Sequence, residues 1–213
     1  MIEWSPARLQ HPRFHRVADL IARFVDAHDW PSIAALNAVF ADELGRVGVR
    51  LVEAPKSKFV LGPDGMIDVS SLYEVRIVER GEIPTRPSNV HDLLNALIWA
   101  AFPETKLALT RALATIQRAR AAGRATLPNA RTPEHDRLAM FDEGAIVRVE
   151  GAGTWIFGHA IYEHAYAGEL DIRGAAVDLV VPGVVTRESI DRVLATQDLA
   201  HVVRRGAGVL VED

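Results

Sequence analysis

Pro84-Thr85-Arg86-Pro87-Ser88-Asn89-Val90-His91-Asp92-Leu93-Leu94-Asn95-Ala96-Leu97-Ile98-Trp99 is the stretch on which the reading of this chain turns. Two prolines hold its first residues extended. Ser88 or Asn89 can then cap a helix, and Asp92 in the first turn suits the positive end of the helix dipole. On a helical wheel His91, Asn95, Ile98 and Phe102 share one stripe, at spacings of four, three and four. Leu93, Leu94, Leu97 and Ala101 cover much of the remaining circumference, which makes this a core helix with polar groups at its mouth. Polar groups there cost free energy unless they are paired. The cluster is therefore either a site or a hydrogen-bonded lock.

Working outward, the core helix runs to about Ala101. Pro103 opens another over roughly 104–122, closed by Gly123. Upstream, apolar residues at helical spacing predict helices over 14–28 and 31–45, the second opened by Pro31 and ended by Gly45 and Gly48. Val49–Val52, Lys58–Leu61 and Met66–Val69 read as short strands, with Gly62-Pro63-Asp64-Gly65 as turn chemistry between the last two. Leu72–Arg80 is the strongest strand candidate, because Tyr73, Val75, Ile77 and Glu79 alternate with Leu72, Glu74, Arg76 and Val78. Downstream, Thr132-Pro133-Glu134 starts a short helix to about Phe141, and Asp142-Glu143-Gly144 turns it into a strand over Ala145–Val149. Gly151–Gly153 is a break. Trp155–Ala167 reads as a helix, Val177–Val181 as a strand and Thr186–Ala200 as a final amphipathic helix. The fold class is α+β: a helix-rich single domain over 1–213 with a small mixed or antiparallel sheet.

The bulk properties narrow the function. Of 213 residues 49% are hydrophobic and 24% charged, which fits an ordinary globular chain. The net charge of −4 gives no global field for nucleic acid. With no cysteine there are no disulfides, thiolate metal sites or thiol nucleophiles. Met1 to Pro6 lacks the basic and apolar order of a signal peptide, and no apolar run spans a bilayer, so a cytoplasmic protein with no membrane partner is expected. Motifs for dinucleotide binding, Walker-type nucleotide binding, the nucleophile elbow and the zincin helix are all missing.

Several residues remain as candidates for chemistry. His91 can serve as a general base or metal ligand, with Asp92 or a carboxylate from another segment orienting or ligating and Asn95 one turn on, while Arg86 and Asn89 can hold an anion at the helix start. Lys106 and Arg131 belong to a run with no acidic residue between Glu104 and Glu134, a local excess that can attract phosphates or form a solvated face. His159 and Glu163 stand four apart on one helix face; that spacing suits a metal or ordinary hydrogen bonding. Asp136, Asp142 and Glu143 could supply further carboxylates to a divalent metal, although no cofactor is specified.

Tyr73-Glu74-Val75-Arg76-Ile77, Gly81-Glu82-Ile83-Pro84-Thr85-Arg86, and Asn89-Val90-His91-Asp92 with Asn95-Ala96-Leu97, Trp99, Phe102-Pro103 and Lys106 resemble the signature of a bacterial family catalogued as domain of unknown function 3025. Arg131-Thr132-Pro133, Asp136 and Phe141-Asp142-Glu143 resemble its second block, and Phe157-Gly158-His159-Ala160 with Glu163 its third, so the likeness spans about 70–170. The chain departs from that pattern at Val90, where Trp is usual, at Thr110, where Asn is usual, and in a short stretch between Val149 and Trp155. The resemblance brings no established activity. Two readings follow: a hydrolytic or acid–base enzyme, metal-dependent or not, acting on an anionic substrate; or a binding or assembly protein in which the Arg/Asn/His/Asp cluster is a structural lock. The oligomeric state is left open.

Overall fold

A computed structural model describes residues 3–55, 59–169 and 172–202, and the backbone of 209–210. Met1, Ile2 and Lys58 lie outside the described residues. Prolines shape the start of the chain. Pro6 and Pro12 each open a 3₁₀ turn (Pro6–Gln10 and Pro12–Val17), and only α1 (Ala18–Ile21) is α-helical where one long helix was expected. The expected apolar stripe is nonetheless buried, through Phe14, Val17, Ile21 and Phe24. Ser32 caps α2 (Ile33–Val39) by accepting from the Ala35 amide. The backbone at Phe40 (φ −109°, ψ 16°) then divides the expected 31–45 helix, and α3 (Ala41–Arg46) follows.

Strand β1 (Arg50–Glu53) and the hairpin of β2 (Val60–Leu61) and β3 (Ile67–Asp68) fall where turn chemistry put them. The next element is a correction. Tyr73–Arg80 forms helix α4, not a strand. Leu72, Val75 and Val78, at spacings of three, join the minor core with Ala114 and Ala121, while Ile77 enters the main core on another side. A helix wedged between two apolar surfaces shows buried residues that also satisfy a period of two; packing, not local pattern, decides the case. Gly81, at φ 64°, closes α4 in the left-handed region, and β4 (Glu82–Thr85) then pairs parallel with β1.

Asn89 caps α5 (Val90–Ala101) and accepts from the Asp92 amide. Pro103 opens α6 (Pro103–Ala121) as expected. Thr132 caps α7 (Pro133–Gly144), which runs through Asp142 and Glu143, so these two end a helix where a turn was expected. Strand β5 (Ala145–Val149) follows directly. A second correction comes after it. Gly151 and Gly153, at φ 72° and 78°, reverse the chain tightly, and β6 (Gly153–Ile156) returns antiparallel along β5. The expected 155–167 helix is thus shortened to α8 (His159–Tyr166), because Trp155 and Ile156 are taken by the ladder.

Strand β7 (Arg173–Leu179) runs parallel to β5 and pairs antiparallel with β8 (Val209–Leu210), which gives a mixed sheet ordered β6-β5-β7-β8. Helix α9 (Arg187–Ala195) lies between β7 and β8 in sequence and starts on a Thr186–Ser189 capping box. The molecule is α+β, with helices predominating. Its main core is built around α5, whose Leu97, Ile98 and Trp99 are essentially inaccessible. Among the described residues no helix is long and apolar enough to cross a membrane.

Candidate functional site

Helices α4, α5, α7 and α8 meet around a cleft of about 300 Å³. Helix α5 presents His91, Asp92 and Asn95 to it from its first two turns. The last turn of α7 brings Asp142 and Glu143, α8 brings His159, and α4 brings Tyr73 and Glu74. The close approach of α7 and α8 depends on Gly158. A Cβ there would lie 2.5 Å from the Glu143 carbonyl oxygen and from Gly144 Cα, so only glycine lets the start of α8 reach the end of α7.

The polar cluster divides into two parts. Arg86 forms a closed pair with Asp92. Its backbone amide donates to Asp92 Oδ2 at 2.6 Å, Nε to the same oxygen at 2.8 Å, and Nη2 to Oδ1 at 2.7 Å. Arg86 Nη2 also reaches Asn89 Oδ1 at 3.3 Å, the oxygen that caps α5. The Asp92 carboxylate raises the Arg86 pKa further above its ordinary value. These three residues form a lock that holds the turn into α5, and the Arg86 fork is already occupied. Asn89 serves as a cap rather than as a ligand group.

A second network centres on a buried ammonium. Lys106, with 4% of its side chain exposed, donates through Nζ to Asn95 Oδ1 at 2.8 Å and to Asp142 Oδ1 at 2.5 Å. Asn95 Nδ2 donates to the Tyr73 hydroxyl at 3.0 Å. The ammonium also lies 5.6 Å from the centroid of the Trp99 ring. Lys106 is therefore a buried counterion and not an exposed anchor for substrate. Burial pushes the Asp142 carboxyl up, but the Lys106 charge, followed by His159, outweighs it and holds the carboxyl below its ordinary value.

The histidines form the third part. His91, 38% exposed at its side chain, has Nδ1 3.2 Å from Glu163 Oε2, a partner 72 residues away in sequence. Its ring meets that of His159 edge to face, with centroids 4.6 Å apart. His159 is buried, with Nδ1 3.0 Å from the main-chain carbonyl of Asp142. A carbonyl only accepts, so in the neutral ring Nδ1 carries the proton and Nε2 the lone pair. That Nε2 lies 3.5 Å from Glu143 Oε2, within ion-pair reach, and has no hydrogen-bond partner among the described residues. Burial holds the His159 pKa below its ordinary value despite the opposing pull of Asp142.

Of the candidates named from sequence, the cleft gathers Arg86, His91, Asp92, Asn95, Asp142, Glu143 and His159, with Glu163 behind His91. Asp136 is exposed in the first turn of α7, about two turns from Asp142, and does not line the cleft. Arg131 lies on a neighbouring cleft. Among the described residues no three His, Asp or Glu side chains converge as a metal-ligand group, so Asp136, Asp142, Glu143, His159 and Glu163 do not assemble into one. Tyr73 and Glu74 were not anticipated as cleft residues. The signal for them was the spacing of Leu72, Val75 and Val78 followed by Gly81, which suits a helix. Burial raises the Glu74 carboxyl above its ordinary value, and burial followed by the Asp142 charge does the same to the Tyr73 phenol.

The family model described as "Protein of unknown function (DUF3025)" matches residues 58–152. Over that segment the chain is similar to the DUF3025 family. The segment carries Tyr73, Glu74, the Arg86 lock, His91, Asn95, Lys106, Asp142 and Glu143; His159 and Glu163 follow just beyond the matched DUF3025 span. No curated protein matches the chain. A solved structure, the apo form of the cold active phenylalanine hydroxylase from Colwellia psychrerythraea 34H, is similar at a TM-score of 0.42 and 13% identity, over 81% of this chain and 71% of that one. A likeness at that level carries no argument about function.

Proposed function

We propose that this chain is an acid–base enzyme, hydrolytic in the simplest case, acting on a polar, anionic substrate in the His91 cleft. His91 is the general base. Glu163 holds its Nδ1, which leaves Nε2 free to take a proton from substrate or water. This carboxylate–imidazole arrangement fixes the tautomer and stabilises the imidazolium that forms. The observation that carries the reading is the paired state of the cleft's imidazoles: each is held at Nδ1 by an acceptor, and each leaves Nε2 without a hydrogen-bonded partner among the described residues. A structural lock has no use for two such atoms. The lock reading is favoured for Arg86, Asn89 and Asp92 alone, whose groups are mutually satisfied.

Asp142 and Glu74 divide the acid–base work on the opposite wall. Lys106 holds the Asp142 carboxyl below its ordinary value while burial pushes the Glu74 carboxyl above its own, so the two are tuned in opposite directions. We treat residues 1–213 as a single domain, supported by a main core that takes residues from Leu9 to Ala200. We place the chain in the cytoplasm, in keeping with its lack of cysteine. Turnover of a phosphomonoester and a carboxylic ester, with and without added Mn²⁺ or Zn²⁺, tests the reading. His91→Ala and Glu163→Gln should abolish or sharply lower turnover while leaving the melting temperature nearly unchanged. Variants that lose several degrees of melting temperature, from a wild type that turns over neither ester, would overturn it.

A further inference from the structure

Tyr73, Glu74, Asp142 and Glu143 wall the His91 cleft and also wall a second cleft of about 480 Å³, bounded by α4, α6, α7 and the loop before α7. The far side of the second cleft is basic. Arg120 lines it but is committed: Nη1 lies 2.9 Å from His135 Nδ1, and Nη2 donates to the carbonyls of Pro128 and Ala130 at 2.7 and 3.0 Å. Those bonds pin the chain immediately before Arg131.

Arg131 itself is exposed, lines the cleft, and has no hydrogen-bond or ion-pair partner among the described residues. Its charge is felt across the cleft, where it opposes the upward push on Glu74, and at His135. The other cations nearby are neutralised, Lys106 by Asp142 and Arg118 by Glu79 at 2.9 Å. Of the carboxyls on the shared wall, Asp142 is paired with Lys106. A guanidinium with an open fork, on a main chain pinned just before it, suits a carboxylate or a phosphate.

We infer that the two clefts are the two ends of one substrate groove, and that the second holds an anionic group of the substrate on Arg131 while the reacting end faces His91 and His159. This rests on the acid–base reading of the His91 cleft, and it names the substrate class as a bipartite molecule with an anionic tail. Glu74 stands where the two ends meet, within reach of both.

Binding of inorganic phosphate and of acetate, each followed by isothermal titration and by side-chain NMR of the arginine guanidinium groups, tests the anion site without reference to turnover. Saturable binding of either anion is expected, and whichever binds names the tail as phosphate or carboxylate. Arg131→Gln should weaken it about tenfold or more. Arg111→Gln, an exposed cation of α6 outside both clefts, should leave it unchanged, and His91→Ala should keep it whichever way the turnover experiment falls. No saturable binding of either anion, undiminished binding by Arg131→Gln, equal loss in Arg111→Gln, or loss in His91→Ala would each overturn the inference.

Discussion

His159 Nδ1 lies 3.0 Å from the main-chain carbonyl of Asp142, and the side chain of the same Asp142 accepts from Lys106 at 2.5 Å. One residue at the end of α7 thus orients an imidazole with its backbone and anchors a buried ammonium with its carboxylate. The Asp142 charge also favours protonated His159, but burial has the larger effect and leaves the ring neutral.

That balance predicts an acid-sensitive fold. The unfolded chain takes up a proton on this histidine below its ordinary pKa of 6.5, whereas the folded protein resists it. The unfolded state then binds more protons, so stability falls as pH drops below about 6.5. His135, lowered by burial and then by Arg120, acts in the same direction. Asp142 adds a later step: its contribution is complete above its ordinary 3.8 and is lost as pH falls through its lower folded value. Glu74 has the opposite sign, since its raised pKa makes it a penalty at neutral pH. Melting temperature measured from pH 8 to pH 3 should decline first below about 6.5, and His159→Gln should remove part of that first decline. A flat profile between pH 7 and pH 5 would refute the account.

Lys106→Met should be among the most damaging single changes. It leaves the Asp142 carboxylate in the network without its cation, and breaking a buried pair from one side costs about 3–5 kcal/mol. Asn95→Ala should also destabilise, by about 1–3 kcal/mol, because it strands Lys106 and the Tyr73 hydroxyl. His91 and Asn95 share one stripe of α5 but have different partners: Asn95 joins Lys106 and Tyr73, whereas His91 meets Glu163. Chemical denaturation of the three variants gives the order Lys106→Met, Asn95→Ala, His91→Ala, from most to least destabilised.

Trp99 is 1% exposed and its Nε1 finds no hydrogen-bond partner among the described residues, so packing and the Lys106 ammonium over its ring hold the indole. Trp99→Ala should cost about 3–5 kcal/mol through the cavity it leaves. Some of that loss would pass to Lys106, which sits over the ring. A soluble variant with the wild-type melting temperature would show that α5 repacks, contrary to expectation.

Gly158→Ala tests how the site is assembled. The added methyl meets backbone of Glu143 and Gly144, which cannot move aside as a side-chain tip can. Overpacking of this kind costs about 1–3 kcal/mol. It should also push α8 away from α7 and break the His159–Asp142 contact, visible as a rise in the His159 pKa by NMR titration. An unchanged titration with unchanged stability would mean that the close approach does not set the site.

The sequence by itself determined whatever depends on interactions a few residues long. Asn89, Thr132 and Thr186 each cap a helix through an amide three residues on, and the turn at Gly62–Gly65 closes a hairpin, so these boundaries could be read locally. The position of the polar cluster at the mouth of a core helix was legible for the same reason. The state of Tyr73–Arg80 was decided only by tertiary structure, since its apolar residues fit both periods until two separate cores claimed them. Trp155 and Ile156 likewise became strand because β5 offered them a ladder. The roles of the polar residues were decided in the same way. Asp92 is closed by a neighbour six residues back, whereas His91 meets Glu163 72 residues away and Lys106 meets Asp142 36 residues away. Which polar group is a lock and which is left facing a cleft depends on partners that only the folded chain brings within hydrogen-bond distance.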